Sequence, residues 1–248
     1  MQTKKLLTIG LILIAILTSV AASQPDKIVV IRDDDVYDSG PALGQFVDTI
    51  KAYDAAATLA VSPNKLTPMG INYLKALEPW QFELATHGYN HDGSEDAVLV
   101  QPAAKALMIQ YFNMTPVSIA APNSKIPIGY VQMAKSLGYH SQINGLDIPD
   151  VGTLYTFPIN FEWETDWGTE PNWTVTYATF DDFQATFDQW YLNGISPVFT
   201  INCHHGPMWD NWNVLDDFKW SLDYMQSKNV TFMTEDQAYH YMQTHTTV

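Results

Sequence analysis

The chain has 248 residues, 46% hydrophobic and 16% charged, a composition suited to one large folded domain rather than a disordered chain. Its 27 acidic against 12 basic residues give a formal charge of −15, which argues against binding nucleic acid or an anionic membrane surface. With Cys203 as its one cysteine the chain has no intrachain disulfide, so stability has to come from the core.

The elements follow in chain order. Lys4 and Lys5 precede the apolar stretch "LLTIGLILIAILTSVAA", small residues and then "SQPDK". That is the charged, apolar and small-residue order of a secretory signal, with cleavage expected just after Ala22 or Ser23. The reading is residues 1–23 as a signal or loose N-terminal anchor and 24–248 as the working domain. It predicts a secreted or cell-surface protein that touches membrane only through this segment.

Beyond it, strand-like and helix-like segments alternate. Strands are predicted at Lys27–Ile31, Ala57–Val61, Phe82–Ala85, Val117–Ala120, "GYHSQI", "PVFTIN" and "VTFM". Helices are predicted at Leu43–Tyr53, Met69–Leu77, Ala103–Tyr111, Tyr130–Leu137, Phe180–Leu192, Leu215–Gln226 and Glu235–Met242. Such alternation implies a parallel α/β sheet with enough units to close into a barrel. The Trp-rich stretch near "FEWETDWGTEPNW" reads as irregular. Acceptor patterns for N-glycosylation stand at Asn113, Asn172 and Asn229.

The polar clusters fall where such a barrel assembles its chemistry. "RDDD", "THGYNH", "AAPN" and "CHHG" each follow a predicted strand, the rim at which active-site loops converge. Three adjacent carboxylates, Asp33 to Asp35, are costly at a buried strand end without a positive partner. Arg32 is the chain's one arginine, so a metal ion is the partner expected. His87 and His91, four residues apart, can turn both imidazoles toward one point, and imidazole with carboxylate suits zinc or another borderline divalent ion.

These motifs resemble those of the polysaccharide deacetylases, the NodB-homology group of carbohydrate esterases, over nearly all of Lys27 to Met242. The resemblance implies a distorted TIM-like (β/α)7 barrel. Laid on "RDDDV", it makes Asp34 the catalytic base and Asp35 a metal ligand, with Val36 where the family has glycine. Laid on "ELATHGYNH", it makes His87 and His91 the other two ligands, with Gly88 in place of Ser or Thr. Two departures stand out. The family's Arg-x-Pro motif appears as "APN", with Ala120 where the arginine should be. The later histidine motif appears as "INCHHG", in which register from Phe199 assigns His204, with His205 as the alternative.

The implied activity is hydrolysis of an N-acetyl or other N-acyl bond on a carbohydrate by water bound to a divalent metal, most simply zinc. Asp34 would take the water's proton, the backbone amide of Asn123 would hold the oxyanion, and His204 would protonate the leaving amine. Trp209 and Trp212 are candidates for the cleft wall. Trp163, Trp167 and Trp173 could stack on a sugar or simply fill the core, and Asp147, Asp150 and Asp166 are open in the same way between a specific role and ordinary surface acids. Because residues i and i+2 of a strand share a face, Arg32 should point the same way as Asp34 and could replace the charge missing at Ala120, the alternative being an exposed or purely structural arginine. Two rival readings remain: a carbohydrate-binding protein without turnover, and a hydrolase of a small non-carbohydrate amide.

Overall fold

The computed structural model describes residues 27–37, 40–91, 97–122, 126, 129–144, 154–166, 175–194, 196–209 and 211–245. The proposed signal segment therefore lies outside the described residues, as do Asn123, Asp147, Asp150, Trp167, Asn172 and Trp173. Among the described residues no helix is long and apolar enough to cross a membrane.

The strands are β1 Ile28–Val36, β2 Ala57–Val61, β3 Phe82–Thr86, β4 Ser118–Ala120, β5 Ser141–Asn144 and β6 Tyr155–Pro158. They continue with β7 Phe161–Glu162, β8 Glu164–Asp166, β9 Thr176–Tyr177, β10 Val198–Cys203 and β11 Thr231–Met233. The helices are α1 Pro41–Ala52, α2 Pro68–Lys75, α3 Ala97–Phe112, α4 Tyr130–Ser136, α5 Phe180–Asn193, α6 His205–Trp209, α7 Trp212–Ser227 and α8 Glu235–His245. The main sheet runs β6-β5-β4-β3-β2-β1-β10-β7, all parallel, and β11 pairs with the start of β1. It curls into a barrel whose seam lies between β6 and β10, where the Thr200 hydroxyl donates to the Pro158 carbonyl. The Thr200 amide donates to Asn160 Oδ1 at 2.8 Å across the same seam.

The helices form for local reasons that the sequence carries. In α1, Pro41 opens the first turn and Leu43, Phe46, Val47 and Ile50 make one apolar stripe against the sheet. Helix α5 starts with a reciprocal capping box between Thr179 and Asp182 and buries Phe183, Phe187 and Trp190. Helix α8 starts the same way: the Gln237 amide donates to Thr234 Oγ1 and the Thr234 amide to Gln237 Oε1.

The sheet's two faces have different chemistry. Val29, Ile31, Phe199 and Ile201 point to the helix-covered core with Trp163, Phe183 and Phe218. Ile28, Val30 and Val198 point to the concave face, where Phe157 and the α8 residues Ala238 and Met242 pack on them. Register carries this second face upward through pairs that grow polar: Ile28 beside Val198, Val30 beside Thr200, Arg32 beside Asn202. The N-terminal half of the barrel interior is thus apolar, and the half toward the strand C-termini is built for charge.

Two sequence expectations are corrected here and a third, left open between two roles, is decided. The first strand runs on to Val36: Asp33 still pairs with β2 and β10, and Val36 pairs with β2 again beyond a register shift. The Trp-rich stretch read as irregular contains β7, β8 and part of the sheet edge. Trp163 is fully buried against Phe161 and Phe183, so it fills the core and leaves no face for a sugar.

Candidate metal centre and catalytic residues

A regular strand would send Asp34 and Asp35 to opposite faces. The pairing of β1 with β2 shifts register between Asp33 and Val36, and Asp35 sits at φ +61°. A bulge of this kind re-aims a side chain, and aspartate is among the few residues that tolerate the left-handed region. Two adjacent carboxylates can therefore serve one site, a device that alternation alone conceals.

The histidine loop is fixed from below. The His87 amide donates to the Val61 carbonyl at 2.8 Å, and Ser62 Oγ donates to the His87 carbonyl at 2.8 Å. Asn64 holds the same loop through the Tyr89 carbonyl and the Asn90 side chain. Gly88 at φ +71° and His91 at φ +52° bend the chain, so the two rings meet at 4.6 Å between centroids. At position 88 glycine suits the left-handed backbone better than the Ser or Thr of the resembled motif.

Three ligand-type atoms converge. Asp35 Oδ1 lies 3.5 Å from His87 Nε2 and 3.3 Å from His91 Nε2. Ligand atoms around a four-coordinate ion with bonds of roughly 2.0–2.1 Å are about 3.3–3.4 Å apart, so the spacing fits a zinc-sized ion. Two further observations agree. Asp35 Oδ1 is buried without a hydrogen-bond partner, and His87 Nδ1 faces the Ala120 carbonyl at 3.3 Å. Donation from Nδ1 to that carbonyl leaves the Nε2 lone pair aimed at Asp35 and the ion position. Ala120 thus contributes its backbone to the site. Burial opposes ionisation of Asp35, but His87, His91 and His204 outweigh it and hold the carboxyl well below the usual range. Burial and the neighbouring His87 lower the His91 pKa, which keeps that ring neutral and able to ligate.

Asp34 lies beside this triad with Arg32 beneath it. Arg32 Nη2 donates to Asp34 Oδ2 at 2.8 Å, and Arg32 Nε, 2.8 Å from Asp34 Oδ1, donates to Asn202 Oδ1 at 3.1 Å. Asn202 in turn donates to Glu162 Oε1. Burial again raises the Asp34 pKa, but Arg32, His87 and His204 more than offset it, and the carboxyl stays below its ordinary value. Glu83 and Glu235, also buried, are pushed up by burial instead. Arg32 thus pairs with Asp34, whose carboxyl it holds below the ordinary value.

The two neighbouring histidines separate cleanly. His204 faces the site: burial lowers its pKa, yet Glu164, Asp34 and Asp35 outweigh that and push it up to about 9. Glu164 Oε2 sits 3.2 Å from His204 Nδ1, and Oε1 accepts from the His204 amide at 3.2 Å. His205 turns away and is tied to Asp33, its amide to Oδ1 and Nδ1 to Oδ2, both at 2.8 Å. Asp33 thereby fixes the start of α6. Glu164 was missed in the sequence because its signal lay inside a stretch dominated by tryptophans. Trp209 ends α6, five residues after His204; Asp166 is exposed on β8.

Comparison with known proteins places the fold. No protein-family model matches the sequence, and no curated protein matches it. Among solved structures, a Mycobacterium smegmatis protein assigned to the polysaccharide deacetylases is 12% identical with a TM-score of 0.68, over 91% of this chain and 93% of that one. An allantoinase is 10% identical with a TM-score of 0.65, over 90% and 92%. A family 4 acetyl xylan esterase from Clostridium thermocellum, in complex with a cobalt ion, is 15% identical with a TM-score of 0.57, over 88% and 91%. The chain has the distorted (β/α)7 barrel of the polysaccharide deacetylases.

Proposed function

We propose that the protein is a divalent-metal-dependent hydrolase that removes an N-acetyl or other N-acyl group from a carbohydrate. The observation that carries the reading is the convergence of Asp35, His87 and His91 on one point beside an ionised Asp34 and a protonated His204. Asp35, His87 and His91 would hold the ion, zinc being the simplest choice for this donor set. When bound, the ion supplies Lewis acidity, making water more acidic and a carbonyl more electrophilic.

The chain's own residues do the rest. Asp34, held ionised beside the three ligands, would accept the proton of the attacking water. Arg32 lowers the basicity of Asp34 but holds it ionised and in one orientation, which matters more for a group that must start unprotonated. His204 enters the reaction protonated and gives its proton to the departing amine; Glu164 positions it and favours the charged ring. The amide of Asn123 is assigned to the oxyanion and Trp209, at the end of α6, to the cleft wall. The apolar N-terminal stretch supports a secreted or cell-surface location.

A second reading keeps the chemistry and changes the substrate to a small amide, favoured by the likeness to an allantoinase. The deciding experiment is acetate or ammonia release from a panel of acetylated glycans and small amides, with and without added zinc. Zinc-dependent acetate release from a glycan is the expected result. Turnover of small amides alone would establish the second reading, and binding of glycans with no turnover would overturn both.

A further inference from the structure

A second group of ligand-type side chains lies at the other end of the sheet. His140 immediately precedes β5, at the N-terminal ends of the parallel strands, whereas Asp35, His87 and His91 follow their C-terminal ends. Asp236 and His240 are one turn apart on α8. Asp236 Oδ1 lies 2.7 Å from His140 Nε2 and 3.3 Å from His240 Nε2, and the three ligand atoms all fall within 4.8 Å of one another.

His140 and Asp236 are each held by something outside the trio. The His140 amide donates to the Val117 carbonyl and the His140 carbonyl accepts from the Tyr155 amide, both at 2.9 Å. The Tyr239 ring stacks on the His140 imidazole at 4.1 Å and 8°. Asp236 donates its amide to Glu83 Oε2 at 2.8 Å, in a first turn already fixed by its capping box. Ligands on rigid, independently supported elements lose little entropy when an ion arrives. Their side chains are 23%, 34% and 66% exposed, so an ion can enter and water can complete its shell.

We propose that His140, Asp236 and His240 form a second divalent-cation site, of the kind that takes zinc or another borderline metal. Two imidazoles and one carboxylate are a donor set such ions favour, and an i, i+4 pair on a helix reaches one point without distortion. Hydrogen bonding to His140 keeps the Asp236 carboxyl below its ordinary pKa against the effect of burial, so it is ionised at neutral pH. Binding replaces the hydrogen bond between His140 and Asp236 with bonds to the ion and expels any proton the imidazoles carry. An ion here clamps α8, which covers the concave face below Arg32, onto the N-terminal end of β5. The site does not depend on the proposed activity.

Calorimetric titration of the full chain with zinc chloride, after chelator treatment, tests it. Wild type should take up about two zinc equivalents and His240→Ala about one. His240 is mostly exposed, so His240→Ala should keep the fold, which circular dichroism checks. In a His87→Ala/His91→Ala background about one equivalent should remain, zinc should still raise Tm, and adding His240→Ala should remove both effects. Uptake and Tm response that His240→Ala leaves unchanged would overturn the proposal, as would a folded His87→Ala/His91→Ala protein that takes up no zinc.

Discussion

Arg32 and Asp34, two residues apart on β1, form a buried pair in which Nη2 donates to Oδ2 at 2.8 Å and Nε lies 2.8 Å from Oδ1. The fourth strand carries Ala120 where the resembled proteins carry arginine, and Arg32 brings a guanidinium from the first strand to Asp34, the proposed base. Lysine at position 32 would keep the charge and lose the fork. Arg32→Lys should lower kcat roughly 10- to 100-fold, the equivalent of one charge-assisted hydrogen bond, while zinc affinity of the Asp35 centre stays unchanged. Equal kcat in the two proteins would remove Arg32 from the site's chemistry.

The bulge at Asp35 assigns different jobs to neighbouring carboxylates. Asp34→Asn should retain zinc at the first centre and lower turnover by roughly 10²–10⁴-fold, the span expected for a lost general base. Asp35→Asn should lose zinc there as well as turnover. Titration calorimetry alongside kinetics checks both, and a reversed pattern would mean that Asp34 is the ligand.

His204 and His205 should also fail in different ways. His204→Ala should suppress turnover with the fold intact. His205→Ala strips Asp33 Oδ2 of its ring partner in a buried setting, and should cost about 1–3 kcal/mol of stability. Urea unfolding and kcat measured on both variants separate the roles; the opposite assignment would exchange the two results.

The partnership of His204 with Glu164 sets a pH dependence. The ring's pKa is raised from 6.5 to about 9, so the protonated acid persists through neutral pH and is lost as pH climbs through that value. The pair's contribution to stability is lost as pH rises through about 9, and because burial raises the Glu164 pKa the pair also loses its anion as pH falls. Glu164→Gln removes the anion, and the alkaline limb of kcat should move to lower pH. A limb that stays in place would show that Glu164 does not control the acid.

The sequence by itself determined the parallel α/β frame, because alternating apolar runs and amphipathic stretches can bury their faces in few other ways. It also placed Asp34, Asp35, His87 and His91 at strand ends, and the i, i+2 rule put Arg32 under Asp34, since strand periodicity is a local property of the chain. Only the tertiary structure decided what those local rules leave open. The bulge that turns Asp35 beside Asp34 depends on pairing with β2, and the choice of His204 over His205 depends on which carboxylate, Glu164 or Asp33, each ring meets. The cluster of His140, Asp236 and His240 spans 96 residues of chain between its first two members, and nothing in local periodicity brings them together. Those contacts follow from how the sheet curls and where α8 packs against it, which a run of residues read along the chain does not contain.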